Sequence, residues 1–474
     1  MRFLKNNLWF GAAVGVVSLS TFLSLVILFN WFESLGRPSE YDGVVMLVSI
    51  TSLFSLAAHL GIPLSVTKLI ARSARRMDTV PVGEIISGSL WMTLLATLPF
   101  MVLLGAAGGV LQGIGKAPGW GLWLVTTPLW LLSAAVLRTA GGVANGFQRM
   151  DYSAALLVLI EPLRLAGLAV VWWVGASLEA VVWVYTGVAV VSLVLGVIIL
   201  WIFFRRMGVR PVRPSREAMR LIGREGFPWL YIPHVTSEMT VRLLIVLVGF
   251  FALREGEVGD FRMYVLTAGL ILLPIQPLVA TLLPRLAAAR DEDLRRSGAP
   301  IYRLTGLYAV GMMALFLFGG GWLLRLLSRG ALAEAAPMLP LLAVARVGFA
   351  VALVPDAMLR SRRTARANAV MEAVRFAAAA ALGVGLIAGF GAPGAAIAYA
   401  AVMVGGTLAQ VVMVRSLLGV GLGRESLEFL VPIAVLGAGY LVGWGAGLAL
   451  GLTAAAAAVS YGAGLIGRKG GKTT

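Results

Sequence analysis

The chain has no cysteine and only two histidines, His59 and His234, among its 474 residues. Without Cys there is no disulfide framework and no thiolate metal site, and two His residues alone cannot build a metal centre. Charged residues are also scarce, at 13%. The signatures of soluble catalysis are missing: no P-loop, HExxH, GxSxG or CxxC occurs. An ATP-driven pump needs its own nucleotide domain. Any transport by this chain must therefore draw on an ion gradient, the membrane potential, the substrate gradient or a partner. The reading is a non-enzyme with no cofactor and no metal.

What is present is apolar. Hydrophobic residues make up 59% of the chain and the mean hydropathy is +0.91, whereas a soluble domain is about 45–50% apolar. The excess comes in runs of hydrocarbon-spanning length, so an all-α polytopic membrane protein is expected. Outer-membrane barrels show short alternating segments instead. About fourteen spans are predicted: 9–32, 43–66, 85–111, 119–140, 153–175, 180–204, 227–252, 263–284, 303–327, 337–358, 367–390, 394–417, 427–446 and 448–466. The apolar run before Trp31 follows Arg2 and Lys5, is too long for a signal-peptide core and reads as an uncleaved first helix.

Charge tests the count. Formal net charge is +17. With the N-terminus inside, 29 of the 39 Lys and Arg fall on the inner side when helix ends are included. Six fall outside: Arg37, Lys116, Arg254, Arg262, Arg325 and Arg329. This bias follows the positive-inside rule and places both termini in the cytoplasm; the expected location is the bacterial cytoplasmic (inner) membrane. It also accounts for the basic pI without nucleic acid. The longest inner loop, Arg205 to Glu225, holds seven Arg. Within it, Arg216–Arg224 is either a plain basic loop or an amphipathic helix on anionic lipid.

The two halves resemble each other. Glu40 and Glu257 are 217 residues apart, as are Lys68 and Arg285. Glu161 and Arg164 recur 211 residues later as Glu372 and Arg375. The expected organisation is a six-helix lobe at 1–206, a basic linker at 207–225 and a second six-helix lobe at 226–420. Two further helices and a short basic tail fill 421–474. Six spans per unit give both units the same orientation, a parallel repeat that places a substrate path at the interface of the halves.

Ionisable residues at span centres are expensive, about 2.5–3.5 kcal/mol each on insertion scales, so each is a functional candidate. They are Glu161 and Arg164, Glu238 and Arg242, Arg346, Asp356, and Glu372 with Arg375. Three sets are self-paired at i,i+3 or i,i+4 and either lock helices together or face a cavity. Arg346 has no acidic neighbour on its helix, which makes it the leading anion contact; its planar fork suits phosphate. Arg138, at a helix end, either snorkels to headgroups or lines the inner mouth. His59 and His234 are more simply core residues, although His234 is retained with Glu161, Glu238, Glu372 and Asp356 as an ion-coupling candidate. Pro63, Pro99, Pro162, Pro233, Pro274, Pro277 and Pro355 are expected to kink spans. Gly105/Gly109 and Gly443/Gly447 are spaced for close helix packing.

The chain resembles the polysaccharide-flippase branch of the multidrug/oligosaccharidyl-lipid/polysaccharide exporter superfamily. The similarity rests on Leu60-Gly-Ile-Pro-Leu-Ser-Val-Thr-Lys-Leu-Ile-Ala-Arg72, on Leu137-Arg138 through Asn145-Gly-Phe-Gln-Arg149, on Glu161-Pro-Leu-Arg-Leu-Ala-Gly167 and on Thr281-Leu-Leu-Pro-Arg-Leu286. The resemblance implies a V-shaped, alternating-access exporter. Its substrate would be a polyprenyl-diphosphate-linked oligosaccharide, moved from the inner to the outer leaflet for cell-surface polysaccharide. Membrane lipids, a polymerase or glycosyltransferases are the implied partners. On that reading Arg164, Arg242, Arg346, Arg375 and Arg138 meet the diphosphate. Lipid II flippases of the superfamily carry charge in the first helix, whereas Trp9 to Phe32 has none. Multidrug exporters, lipid II flippases and a non-transporting subunit that scaffolds a polysaccharide synthase are the alternatives.

Overall fold

The computed structural model describes residues 2–73, 80–113, 121–175, 177–210, 212–226, 231–275, 291–332, 338–361 and 364–420, with a few single positions beyond. Every regular element among them is helical. In chain order these are α1 (Arg2–Ser34), α2 (Pro38–Ala58), α3 (Ile62–Ser73), α4 (Val82–Gly113), α5 (Gly121–Gly146), α6 (Met150–Val158), α7 (Ile160–Val174) and α8 (Leu178–Met207). There follow α9 (Arg216–Gly226), α10 (Tyr231–Phe251) and α11 (Glu257–Gly269), the last continued by a 3-10 turn at Leu270–Leu272. The chain then forms α12 (Asp291–Leu327), α13 (Met338–Arg360), α14 (Ala365–Phe390) and α15 (Ala392–Leu418). Nine helices among the described residues are long and apolar enough to cross a membrane. The expected spans 427–446 and 448–466 lie almost wholly outside the described residues.

One expected span is broken, and a second is only interrupted in its hydrogen bonding; a proline follows each place. Proline lacks the N–H that would bond the carbonyl four residues earlier. The span 43–66 breaks at His59–Gly61, where Leu60 has φ 44° and Gly61 φ 74°. The carbonyl of His59, four before Pro63, instead accepts the N–H of Ile62 at 2.9 Å. The span 153–175 holds as one membrane-length run, Met150–Val174. Pro162 leaves Val158 without a helical donor, so the hydrogen-bond ladder lapses at Leu159 between α6 and α7 while Leu159 keeps right-handed helical backbone. Pro99, Pro128, Pro300 and Pro355 lie inside helices without ending them.

The molecule has two compact units, Met1–Gly259 and Asp260–Thr474. The division falls beyond the basic linker, because α10 packs along α2. The Tyr231 hydroxyl donates to the carbonyls of Leu56 and Ala57 at 3.1 and 2.5 Å. In the first unit, Val66, Leu69, Ile70, Ile85, Ile86, Phe203, Ala218 and Ile222 form a buried cluster where α3, α4, α8 and α9 meet. Two of the sequence stretches singled out above, on α3 and α5, pack on each other. A Cβ on Gly142 would lie 2.5 Å from the Pro63 carbonyl, so only glycine permits that approach. Thr67 donates across the seam to the Gly142 carbonyl at 2.8 Å. The outer faces remain apolar, with Val102 72% and Trp173 86% exposed, as lipid contact requires.

Candidate functional site

The first unit carries two charged groups, one on α7 and one on α10. On α7, Glu161 and Arg164 pair at 2.9 Å, each side chain 18% exposed. Their spacing of three puts both on one face of the first turns of α7. Arg164 also lies 4.4 Å from the ring centre of Tyr185 on α8. Trp130 of α5 stacks on that ring at 4.8 Å and donates to Thr186 at 3.4 Å. The guanidinium therefore has an anion on one edge and an aromatic face over it, while its Nε has no acceptor.

On α10, Arg242 donates to the Glu238 carboxylate at 3.0 Å and to its backbone carbonyl at 2.7 Å. Glu238 is the most accessible acid of the set, its side chain 43% exposed. Arg138 of α5 is exposed and lies within electrostatic reach of Arg242 and Glu238. Arg138 is thus within the electrostatic field of the Glu238/Arg242 pair. His234 lies one turn before Glu238 on α10, and its side chain is outside the described residues. His59 is buried at the end of α2 and bonds the Ser55 carbonyl.

The second unit holds the remaining candidates in two environments. Arg346 of α13 is half-buried and has no ion-pair partner among the described residues. Its guanidinium lies 5.4 Å from the ring centre of Tyr399 on α15, and its Nε has no acceptor. A cation held only by an aromatic face keeps its hydrogen-bond donors for a ligand.

Asp356, Glu372 and Arg375 belong instead to a buried polar chain through α13, α14 and α15. Arg360 donates to Asp356 at 2.7 Å, and Asn368 donates to the same carboxylate at 2.9 Å. Gln410 donates to Asn368 at 3.5 Å and to Glu372 at 2.9 Å. Glu372 pairs with Arg375 at 2.6 Å, and these two side chains are only 2% and 4% exposed. Arg375 fits because Gly406 has no Cβ; one there would lie 2.4 Å from the Arg375 Cδ. The repeat-related pairs therefore share spacing but not surroundings: Glu161/Arg164 is partly open and Glu372/Arg375 is sealed. Tyr185, Trp130, Tyr399, Arg360, Asn368 and Gln410 were not singled out by sequence. Neutral or aromatic side chains in apolar runs raise no charge signal, and Arg360 falls just past the expected span 337–358.

Among solved structures the chain is similar to an inward-facing multidrug resistance MATE family transporter of the MOP superfamily. The TM-score is 0.68 at 17% identity over 85% of this chain and 98% of that one. The outward-facing form of such a transporter gives 0.68 at 14% identity over 88% and 96%. A MOP superfamily transporter from Pyrococcus furiosus, described by a reversed binding-pocket polarity that suggests a different function, gives 0.64 at 15% identity over 88% and 96%. These likenesses establish the polytopic MATE-type fold. No curated protein matches in sequence. Residues 3–289 match the polysaccharide biosynthesis protein family, more than half of the chain. The protein belongs to that family.

Proposed function

We propose that the protein is a flippase that moves a polyprenyl-diphosphate-linked oligosaccharide from the inner to the outer leaflet, for cell-surface polysaccharide biosynthesis. Family membership supports work on polysaccharide, and the MATE-type fold supports transport. The observation that carries the reading is Arg346, a membrane-depth cation with no acidic partner among the described residues. A diphosphate is the anion that such a residue can take while a lipid tail stays in hydrocarbon. Within the first unit, Arg164, Arg242 and Arg138 are the further candidate cations. Arg375, sealed against Glu372, serves the α14–α15 contact in this reading rather than the ligand.

Coupling falls to an acid that can change partners. Glu238, accessible and near two arginines, is the best placed of Glu161, Glu238, Glu372, Asp356 and His234. A charge shifted there by proton binding alters the local field without dismantling a buried network.

The test is reconstitution of the purified protein in liposomes with a labelled polyprenyl-diphosphate oligosaccharide on one leaflet. Protein-dependent appearance of label on the other leaflet is expected. Label moving at the rate of empty liposomes would favour the scaffolding-subunit reading.

A further inference from the structure

An apolar groove of about 410 Å³ runs between α4, α5 and α8, within the roughly 300–1,000 Å³ of ligand clefts. Leu94, Leu132, Val136, Val197, Trp201 and Phe204 are among its walls, and all of its lining residues are apolar. Its lining follows α8 from Leu193 to Phe204, a length of about 16 Å at the helical rise. None of the charged residues of the candidate site lines it.

The groove ends beside the last turn of α8, which holds Arg205 and Arg206. By charge asymmetry this is the cytoplasmic end. Trp201 is 53% exposed there, and the Arg205 guanidinium lies 3.8 Å from its ring centre. This i,i+4 stacking holds the cation at the mouth of the groove. Arg205 is exposed and has no ion-pair partner among the described residues. Its neighbour Arg206 donates to the Tyr152 hydroxyl at 3.3 Å.

Helix α9 adds to the same surface. Its apolar side, Ala218 and Ile222, is buried against α3 and α4, so the helix cannot immerse that side in lipid. Arg216, Arg220 and Arg224 recur every four residues and remain exposed. The inner face of the first unit therefore combines a hydrocarbon-lined slot with fixed positive charge at its polar end. That combination complements one acyl chain joined to one phosphate.

We propose that this groove binds one anionic phospholipid of the cytoplasmic leaflet, with an acyl chain along α4, α5 and α8 and its phosphate on Arg205. Charge complementarity selects an anionic headgroup: a zwitterionic lipid fills the slot equally but brings its own cation to Arg205. This site is separate from the flippase reading and does not depend on it.

The test is native mass spectrometry of the full-length protein in detergent. Phosphatidylglycerol, phosphatidylcholine and a polyprenyl phosphate are added singly and in equimolar pairs. Wild type should retain one phosphatidylglycerol several-fold more than phosphatidylcholine. Arg205→Gln, at an exposed position, should remove that preference, and Arg205→Lys should restore part of it. Val197→Trp should fill the slot and reduce retention of both phospholipids, with Leu94→Trp as the alternative filler if the first variant melts early. The proposal is overturned if wild type shows no headgroup preference, or if the preference survives Arg205→Gln. It is also overturned if both slot-filling variants leave retention unchanged while folded, or if the polyprenyl phosphate displaces phosphatidylglycerol at equal concentration.

Discussion

The carboxylate of Asp42 accepts the backbone N–H of Gly259 at 2.7 Å and that of Gly256 at 2.9 Å. Asp42 and Gly259 stand 217 residues apart, the offset that relates Glu40 to Glu257. The start of α2 thus holds the start of α11 within the first unit. The N–H groups at a helix start have no partner within the helix, and the carboxylate meets the positive end of the α11 dipole. The Glu257 carboxylate closes the preceding turn by accepting the Leu253 N–H at 2.7 Å. A Cβ at 259 would lie 2.4 Å from the Tyr41 ring.

Asp42→Ala is therefore expected to destabilise the protein by about 1–3 kcal/mol, the cost of leaving such donors unmet. Gly259→Ala should also destabilise it, through the clash with Tyr41. Thermal unfolding in detergent reads both. Wild-type melting of Asp42→Ala would show that the cap contributes nothing.

Arg346→Ala should abolish export of surface glycan while the protein still reaches the membrane. Arg346→Lys should rescue only in part, because an ammonium keeps the charge but loses the two-toothed fork. Complementation of a deletion strain, with membrane-fraction blotting as control, measures this. Normal export by the Ala variant would sink the anion-contact role.

Glu372→Gln should destabilise by about 3–5 kcal/mol, because it leaves Arg375 charged, buried and unpaired. Glu372→Leu combined with Arg375→Met should be less damaging than that single change. Unfolding of the three proteins in detergent decides. A double variant worse than the single would mean that the pair contributes net stability.

A reporter fused after Thr474 should read as cytoplasmic, and one inserted near Arg37 as external. An external reading at Thr474 would refute the fourteen-span arrangement.

Much of the helical framework was legible in sequence because a bilayer demands long apolar runs. The predicted 337–358, 367–390 and 394–417 lie within a few residues of α13, α14 and α15. The self-paired charges were equally legible, since helical spacing alone puts Glu161 by Arg164 and Glu238 by Arg242. The division of α2 from α3 was not. Pro63 was expected to kink the span, but only local backbone geometry shows that Leu60 and Gly61 turn left-handed and end it. Nor was the chain from Asp356 through Asn368 and Gln410 to Glu372, because it joins three helices through neutral amides. Arg360 read as a loop cation of the inner side, whereas α13 extends far enough to fold it back on Asp356. Tyr185 and Tyr399 carry no signal in sequence; only the fold sets their rings beside Arg164 and Arg346.

The absent side chain at Gly406 has a historical consequence. The Arg375 stem occupies the space that a methyl group would need. Mutation at either position alone is penalised, by a clash at 406 or by a void and an orphaned carboxylate at 375. Lineages should cross between arrangements only by changing both. Among descendants of this sequence, a larger residue at 406 is expected only beside a shorter, uncharged residue at 375, with Glu372 replaced in the same step or soon after.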